Sequence, residues 1–355
     1  MDAPMSVPGA EAQIRFLQQI QRLFGEGEFS ATYKFALLLS LAELAVERGD
    51  DSGAALELPL AAVAEKFAEL YWRQLAVYSS GQAGAQAAVL HQNHGAQAAI
   101  VQHLAPIHRE VQGQYGAARQ HPEWEGVLRA VANTVRAMPL RHLQMLGGTL
   151  EPFLYHYPCP RGVVRLKPGV AFNLRRYHVL IQQLARAGWV EHVRGNRLNA
   201  PMLGWRDDLE TFMFGAPRAP LAEVARVLGP LQSHRCFYCR ERITSQAEVD
   251  HFIPWSRYPR DTAHNFVLAH HGCNNDKRQM LAAGRHLEAW MERFGRYGNE
   301  IGQALSDKGF VVDPQCSIRV ARWAYEEAFR MGASAWKEKG MTELLRPSSL
   351  AVFAD

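Results

Sequence analysis

The chain is poor in several features that would define other kinds of protein. None of its 355 residues belongs to an uninterrupted apolar run of eighteen or more, so no segment reads as a membrane-spanning helix. The opening stretch (MDAPMSVPGAEAQ) has neither a basic start nor an apolar h-region, which leads us to expect a cytoplasmic protein with no membrane partner. Cysteine is scarce at five residues, and a disulfide framework is not expected. Neither sign of charge dominates: 39 basic side chains face 35 acidic ones, so what matters is where the charge sits. Residues 81–104 carry no charged side chain apart from any protonated histidine. Hydrophobic content of 48% suffices for real cores, and the length suggests two or three domains.

Three of the five cysteines fall on one pattern. Cys236 and Cys239 form a C-x-x-C pair, which puts two sulfurs on one tight turn within reach of one ion. His270 and Cys273 repeat that spacing farther along and would close a tetrahedral Cys3His site for structural Zn2+. His271 is adjacent and competes for the role, but only His270 keeps the two-residue spacer. The plainer reading is a set of small buried residues, since free cysteine is often buried and inert. Cys159 and Cys316 have no paired spacing and read as ordinary reduced thiols.

Between the two metal-ligand pairs lies EVDHFIPW, then HNF, and Asn274-x-x-Lys277 follows the last ligand at once. A short strand ending at Pro254 would turn Asp250 and His251 to opposite faces. A return strand is expected over His264–Leu268, and a helix opening at Asn274 and running on toward Trp290. Each component is weak alone, because Asp-His steps are common and an asparagine such as Asn265 can simply cap a turn. In this order, however, residues 236–277 resemble the HNH endonucleases, nucleases with a ββα-metal module. The resemblance covers about the last third of the chain. It implies His251 as the general base, and Asp250 and Asn274 as holders of one catalytic Mg2+ or Mn2+. It further implies Asn265 as a brace for the loop and the base, and Lys277 as a phosphate or leaving-group contact. Family members with a structural zinc usually carry C-x-x-C at the second pair, where this chain has His270.

The first 150 residues read as a helical domain. Ser30 or Thr32 can cap a helix over Tyr33–Arg48 that ends at Gly49. Leu60, Val63, Ala64, Phe67, Leu70 and Tyr71 form a core stripe after Pro59, and Trp124 to Val135 mark another amphipathic helix. The alanine-, glutamine- and histidine-rich stretch 81–104 suggests a polar helical surface. Residues 151–205 change character. Tyr155–Tyr157 and Val163–Leu166 read as strands, and Asn173 can cap a helix that ends at Gly188. A strand over Trp189–Val193 and a Gly195-Asn196 turn then resemble the recognition helix and wing of a winged helix. Between Arg161 and Arg197 this segment holds eight basic residues and one acid, the footprint expected of phosphate contact. Candidate DNA contacts are Arg175, Arg176, Arg194, Arg197, Lys277 and Arg278. A solvated basic face is the plainer alternative. Residues 206–230, with Pro217 and Pro220, read as a linker into a nuclease domain over 231–355.

The expectation is therefore an α+β, predominantly helical protein with a winged-helix-like middle segment and a C-terminal ββα-metal module. Its function would be metal-dependent DNA hydrolysis, in restriction or anti-phage defence, with other defence-system proteins as partners. One such module cuts one strand, so a double-strand break would need a homodimer or two visits. The rival is a zinc-stabilised nucleic-acid-binding protein with a silent site. An RNA-directed nuclease finds no support in an aromatic RNA-binding platform.

Overall fold

The computed structural model describes residues 7–204, 208–215, 221–244 and 246–353. The chain divides into two compact units, Met1–Gly215 and Ala216–Asp355. Helices predominate and the sheets are small and antiparallel, so the α+β, mostly helical class holds.

In the first unit, α1 (Ala10–Glu26) is amphipathic, whereas α2 (Tyr33–Arg48) is apolar on nearly every side and buried along almost its whole length. A helix of that kind must lie at the centre of a core. Strand β1 (Leu56–Pro59) leads into α3 (Leu60–Trp72), whose stripe of Val63, Ala64, Phe67 and Tyr71 faces that core. Helices α4 (Ala99–Glu110) and α5 (Trp124–Ala137) pack beside it. Strand β2 (Val163–Leu166) pairs with β1 in the register Leu58↔Val164, so residues after 150 belong to the same unit as those before. Helices α6 (Val170–Arg176) and α7 (His178–Arg194) follow, the latter packed on α2.

Several expectations are corrected in this unit. Trp189–Val193 are the last turns of α7, and no winged-helix hairpin occurs among the described residues there. Gly188 does not end the helix. Its Cβ position would fall 2.5 Å from Phe35 Cε1, so the glycine is a point of close packing against α2. Asn173 lies inside α6 rather than capping it, and Asn196 caps a short 3₁₀ turn instead of shaping a wing. Thr32 stands at the start of α2, yet its hydroxyl meets Tyr71 OH at 2.5 Å and caps no amide. Residues 81–98 are loop with one short strand, because Gly81, Gly84 and Gly95 take left-handed φ values of 71°, 84° and 105°. Of the expected linker, Pro217 and Pro220 lie outside the described residues. What is described there is helical: α8 (Leu209–Phe214) and, in the second unit, α9 (Leu221–Leu231).

The second unit places a hairpin at its centre. Strand β3 (Ala247–His251) pairs antiparallel with β4 (Phe266–His270), with Asp250↔Val267 and His251↔Phe266 in register. The return strand thus starts two residues later than expected, because Ala263–Asn265 form a 3₁₀ turn. Helix α10 (His271–Lys277) crosses the hairpin and stops at Arg278, whose φ of 52° no helix tolerates. The expected continuous helix is therefore two: α10 and a new start at α11 (Gly284–Ser306). Val224, Leu228, Phe266, Leu268, Ile301 and Leu305 form one core beneath the hairpin. Helix α12 (Pro314–Arg330) and a hairpin of β5 (Ser334–Glu338) with β6 (Met341–Leu344) complete the unit.

Candidate metal and catalytic centre

The C-x-x-C turn closes by a hydrogen bond from Arg240 N to Cys236 O at 3.0 Å. It sits against the end of β4, where Phe237 N donates to Leu268 O. The ligand atoms of Cys236, Cys239, His270 and Cys273 all lie within 4.8 Å of one another. Cys239 Sγ is 3.3 Å from His270 Nδ1, and His270 Nε2 is 3.2 Å from Arg242 O. A carbonyl can only accept, so that contact fixes the proton on Nε2 and leaves the Nδ1 lone pair toward the sulfurs. His271 turns away and meets Glu248 instead, which settles the competition between the two histidines. Burial, then the Cys236 and Cys239 sulfurs, push the Cys273 thiol up to about 12. Three crowded sulfurs and an imidazole are the donor set of a closed zinc site, so the Cys3His cluster could hold zinc.

The second centre grows from β3. Side chains alternate along a strand, so Glu248 and Asp250 share one face and His251 takes the other. Helix α10 lies across the Glu248–Asp250 face. Asn274 Nδ2 donates to Glu248 Oε2 at 2.8 Å, and one turn later Lys277 Nζ donates to Asp250 Oδ2 at 2.9 Å. Tyr238 OH donates to the same Asp250 oxygen at 2.5 Å. Burial and then the Asp250 charge hold the Tyr238 phenol well above its ordinary range, so it remains a donor. Burial raises the Glu248 carboxyl, but hydrogen bonds from His271 and Asn274 outweigh it and the net shift is down.

On the opposite face, His251 is nearly buried between Phe266 and Trp255, and its Nε2 donates to Asp261 Oδ1 at 2.7 Å. Asn265 clamps the loop that follows. Its Oδ1 accepts from Ile253 N at 2.7 Å, its Nδ2 donates to Ile253 O at 3.0 Å, and its own carbonyl accepts from Phe252 N.

Lys277 departs from its expected role. It is fully buried, its ammonium is held by Asp250 Oδ2 and by His251 O at 3.2 Å, and it neutralises the carboxylate rather than meeting a phosphate. Arg175 departs likewise. Its guanidinium caps the carbonyls of Val46 and Gly49 at the end of α2 and pairs with Asp51 at 2.8 Å, all within the interior. Arg176 is half-buried, Arg194 pairs with Glu191 on the surface, and Arg197 and Arg278 are exposed. Asp261 and Tyr238 escaped sequence reasoning. Asp261 sits in a loop ten residues from His251, and only the fold brings it back.

A β-hairpin crossed by a short helix beside the Cys3His cluster has the layout of a ββα-metal module. The HNH endonuclease family matches residues 236–283, so the C-terminal unit carries an HNH endonuclease domain. A second family, described as a domain of unknown function (DUF8808), matches residues 13–203. That match spans more than half of the chain, which therefore belongs to this family. No curated protein and no solved structure matches the chain.

Proposed function

We propose that the protein is a metal-dependent DNA endonuclease in which His251 is the general base. The observation that carries this reading is the Asp261–His251 pair. A carboxylate can only accept, so Asp261 places the imidazole proton on Nε2 and leaves Nδ1 as the atom able to take a proton from water. Phe266 and Trp255 hold the ring in place. Asn265 keeps the strand end and the loop after it rigid, which fixes the base relative to the β3 face.

A divalent ion is part of the proposal, and the residues present fit it. Asp250 Oδ2 is taken by Tyr238 and Lys277, and Asn274 engages through its nitrogen. Among the described residues Asp250 Oδ1 and Asn274 Oδ1 have no partner. These are two hard oxygens beside one face of one strand, the donor type that Mg2+ or Mn2+ takes with water completing its shell. When bound, such an ion supplies positive charge near the scissile phosphate and the departing oxygen. Zn2+ in the Cys3His knuckle would hold the fold. A role in restriction or anti-phage defence belongs to the proposal, supported by a nuclease module joined to a large helical unit.

The test is supercoiled plasmid incubated with the purified protein, with Mg2+ or EDTA, beside His251→Ala. Mg2+-dependent nicking that falls by roughly 10²- to 10⁴-fold in the variant is the expected result. Equal activity in both proteins would refute His251 as the base. Binding without cutting by the wild type would favour a silent, zinc-stabilised binding module.

A further inference from the structure

Beside the knuckle, a cleft of about 240 Å³ opens between the end of α9 and α11. Arg235, Arg240, Arg293 and Arg296 line it, together with Phe237 and Tyr297. The one carboxylate on its wall, Glu292, pairs with none of the four, and no carboxylate among the described residues lies within ion-pair distance of any of them. Three other arginines of the unit do pair with acids: Arg226 with Glu223, Arg285 with Glu338 and Arg330 with Glu327. Gathering like charges without counter-ions costs Coulomb energy that a bound anion would repay.

The cleft is also built. Buried Arg293 is fixed by donating from Nη1 to Phe266 O at 2.7 Å and from Nη2 to His264 O at 2.8 Å, on either side of Asn265. Its Nε is buried without a hydrogen-bond partner. Arg240 lies over the Phe237 ring at 5.2 Å and Arg293 over the same ring at 5.8 Å. Arg235 Nη1 donates to Arg240 O at 3.0 Å, and Arg296 sits over Tyr297 at 6.0 Å. Arg240 moreover has φ 66°, a left-handed conformation natural to glycine and strained for arginine. The bulky cation stands where its backbone would be more comfortable without it.

We propose that this cleft holds backbone phosphates of the polynucleotide substrate at nucleotides away from the one cut. Guanidinium forks match phosphate oxygens two at a time, and ring contacts restrict where these planar groups can lie. The volume is below the roughly 300–1,000 Å³ typical of small-molecule sites, which favours phosphodiester groups at the mouth over a free nucleotide inside. The proposal rests on the nuclease reading.

The test uses the full-length protein and a labelled DNA duplex, with affinity measured over a series of salt concentrations in EDTA. Arg296→Ala and the double variant R235A/R296A are compared with wild type, with zinc content and thermal midpoint as controls of folding. Each phosphate that the variant no longer neutralises should lower the slope of log K against log salt by about 0.9. Affinity should fall roughly tenfold per arginine. A double variant with wild-type slope and affinity overturns the proposal. So does calorimetric binding of inorganic phosphate or ATP that Arg296→Ala abolishes while DNA affinity does not move, because the cleft would then be a small-anion site. Wild-type protein that binds no DNA at all removes the nuclease reading and the cleft with it. Failure of the cleft alone leaves wild-type binding and His251-dependent nicking intact.

Discussion

Each unit buries a lysine against carboxylates, and the two arrangements serve different ends. In the N-terminal unit Lys66 lies among Glu43 at 3.2 Å, Glu47 and Glu69, on α2 and α3 in the helical core. In the C-terminal unit Lys277 is paired with Asp250 alone, on one oxygen, while the other oxygen of Asp250 and that of Asn274 keep their bonding capacity. The first cluster joins two helices. The second engages one oxygen of Asp250 and leaves the other uncommitted. A buried charge pair by itself is weak evidence of stability or of function, and what separates the two here is the capacity left over on the donor atoms.

The two units should differ most in their response to removal of the metal expected in only one of them. Prolonged treatment with a strong chelator should release the β3 and β4 amides to rapid hydrogen exchange and leave those of α2 protected. Structural zinc contributes about 10–16 kcal/mol in finger peptides, as much as a whole domain's stability. Equal protection of β3 and β4 before and after chelation would mean that the Cys3His cluster holds no structural metal.

Next in size are Lys277→Met and Lys66→Met, each of which strands buried carboxylate charge at a cost of about 3–5 kcal/mol. Urea denaturation followed by hydrogen exchange should locate the first loss in the C-terminal unit and the second in the N-terminal one. Only the first should also reduce nicking of plasmid by protein that remains folded. A Lys277→Met protein of wild-type stability would contradict the burial of that charge.

Asp261→Asn sharpens the contrast between holding and acting. The thermal midpoint should stay put, while nicking at saturating plasmid slows on the order of 10²-fold and the shape of its pH–rate profile changes. A purely structural residue would leave that profile alone.

The smallest effect concerns His178 of the N-terminal unit, where burial and then the Arg186 charge lower the imidazole to about 3. Above the unfolded value of about 6.5 neither state is protonated and the group contributes nothing to the pH dependence. Below it the unfolded chain binds a proton that the folded chain refuses, so stability falls as pH falls. Between pH 6.5 and 5 the loss should be about 2 kcal/mol, and His178→Gln should flatten the slope in urea titrations.

The HNH domain was legible because its signals are local. Two metal-ligand pairs at the same short spacing, Asp250 and His251 on successive strand positions, and Asn274 just after Cys273 are fixed by chain geometry within a few residues. Local pattern therefore carried the Cys3His cluster, the strand that sends Asp250 and His251 to opposite faces, the clamp of Asn265, and the buried α2 and α3 that make the first unit helical. Long-range packing alone made Lys277 a buried counter-charge, set Arg175 as the cap of α2, let Gly188 admit Phe35 instead of ending a helix, and returned Asp261 to His251. These depend on which surfaces meet across long stretches of chain. An arginine or glycine reads the same in sequence whether its neighbour in space is water, a carbonyl or an aromatic ring.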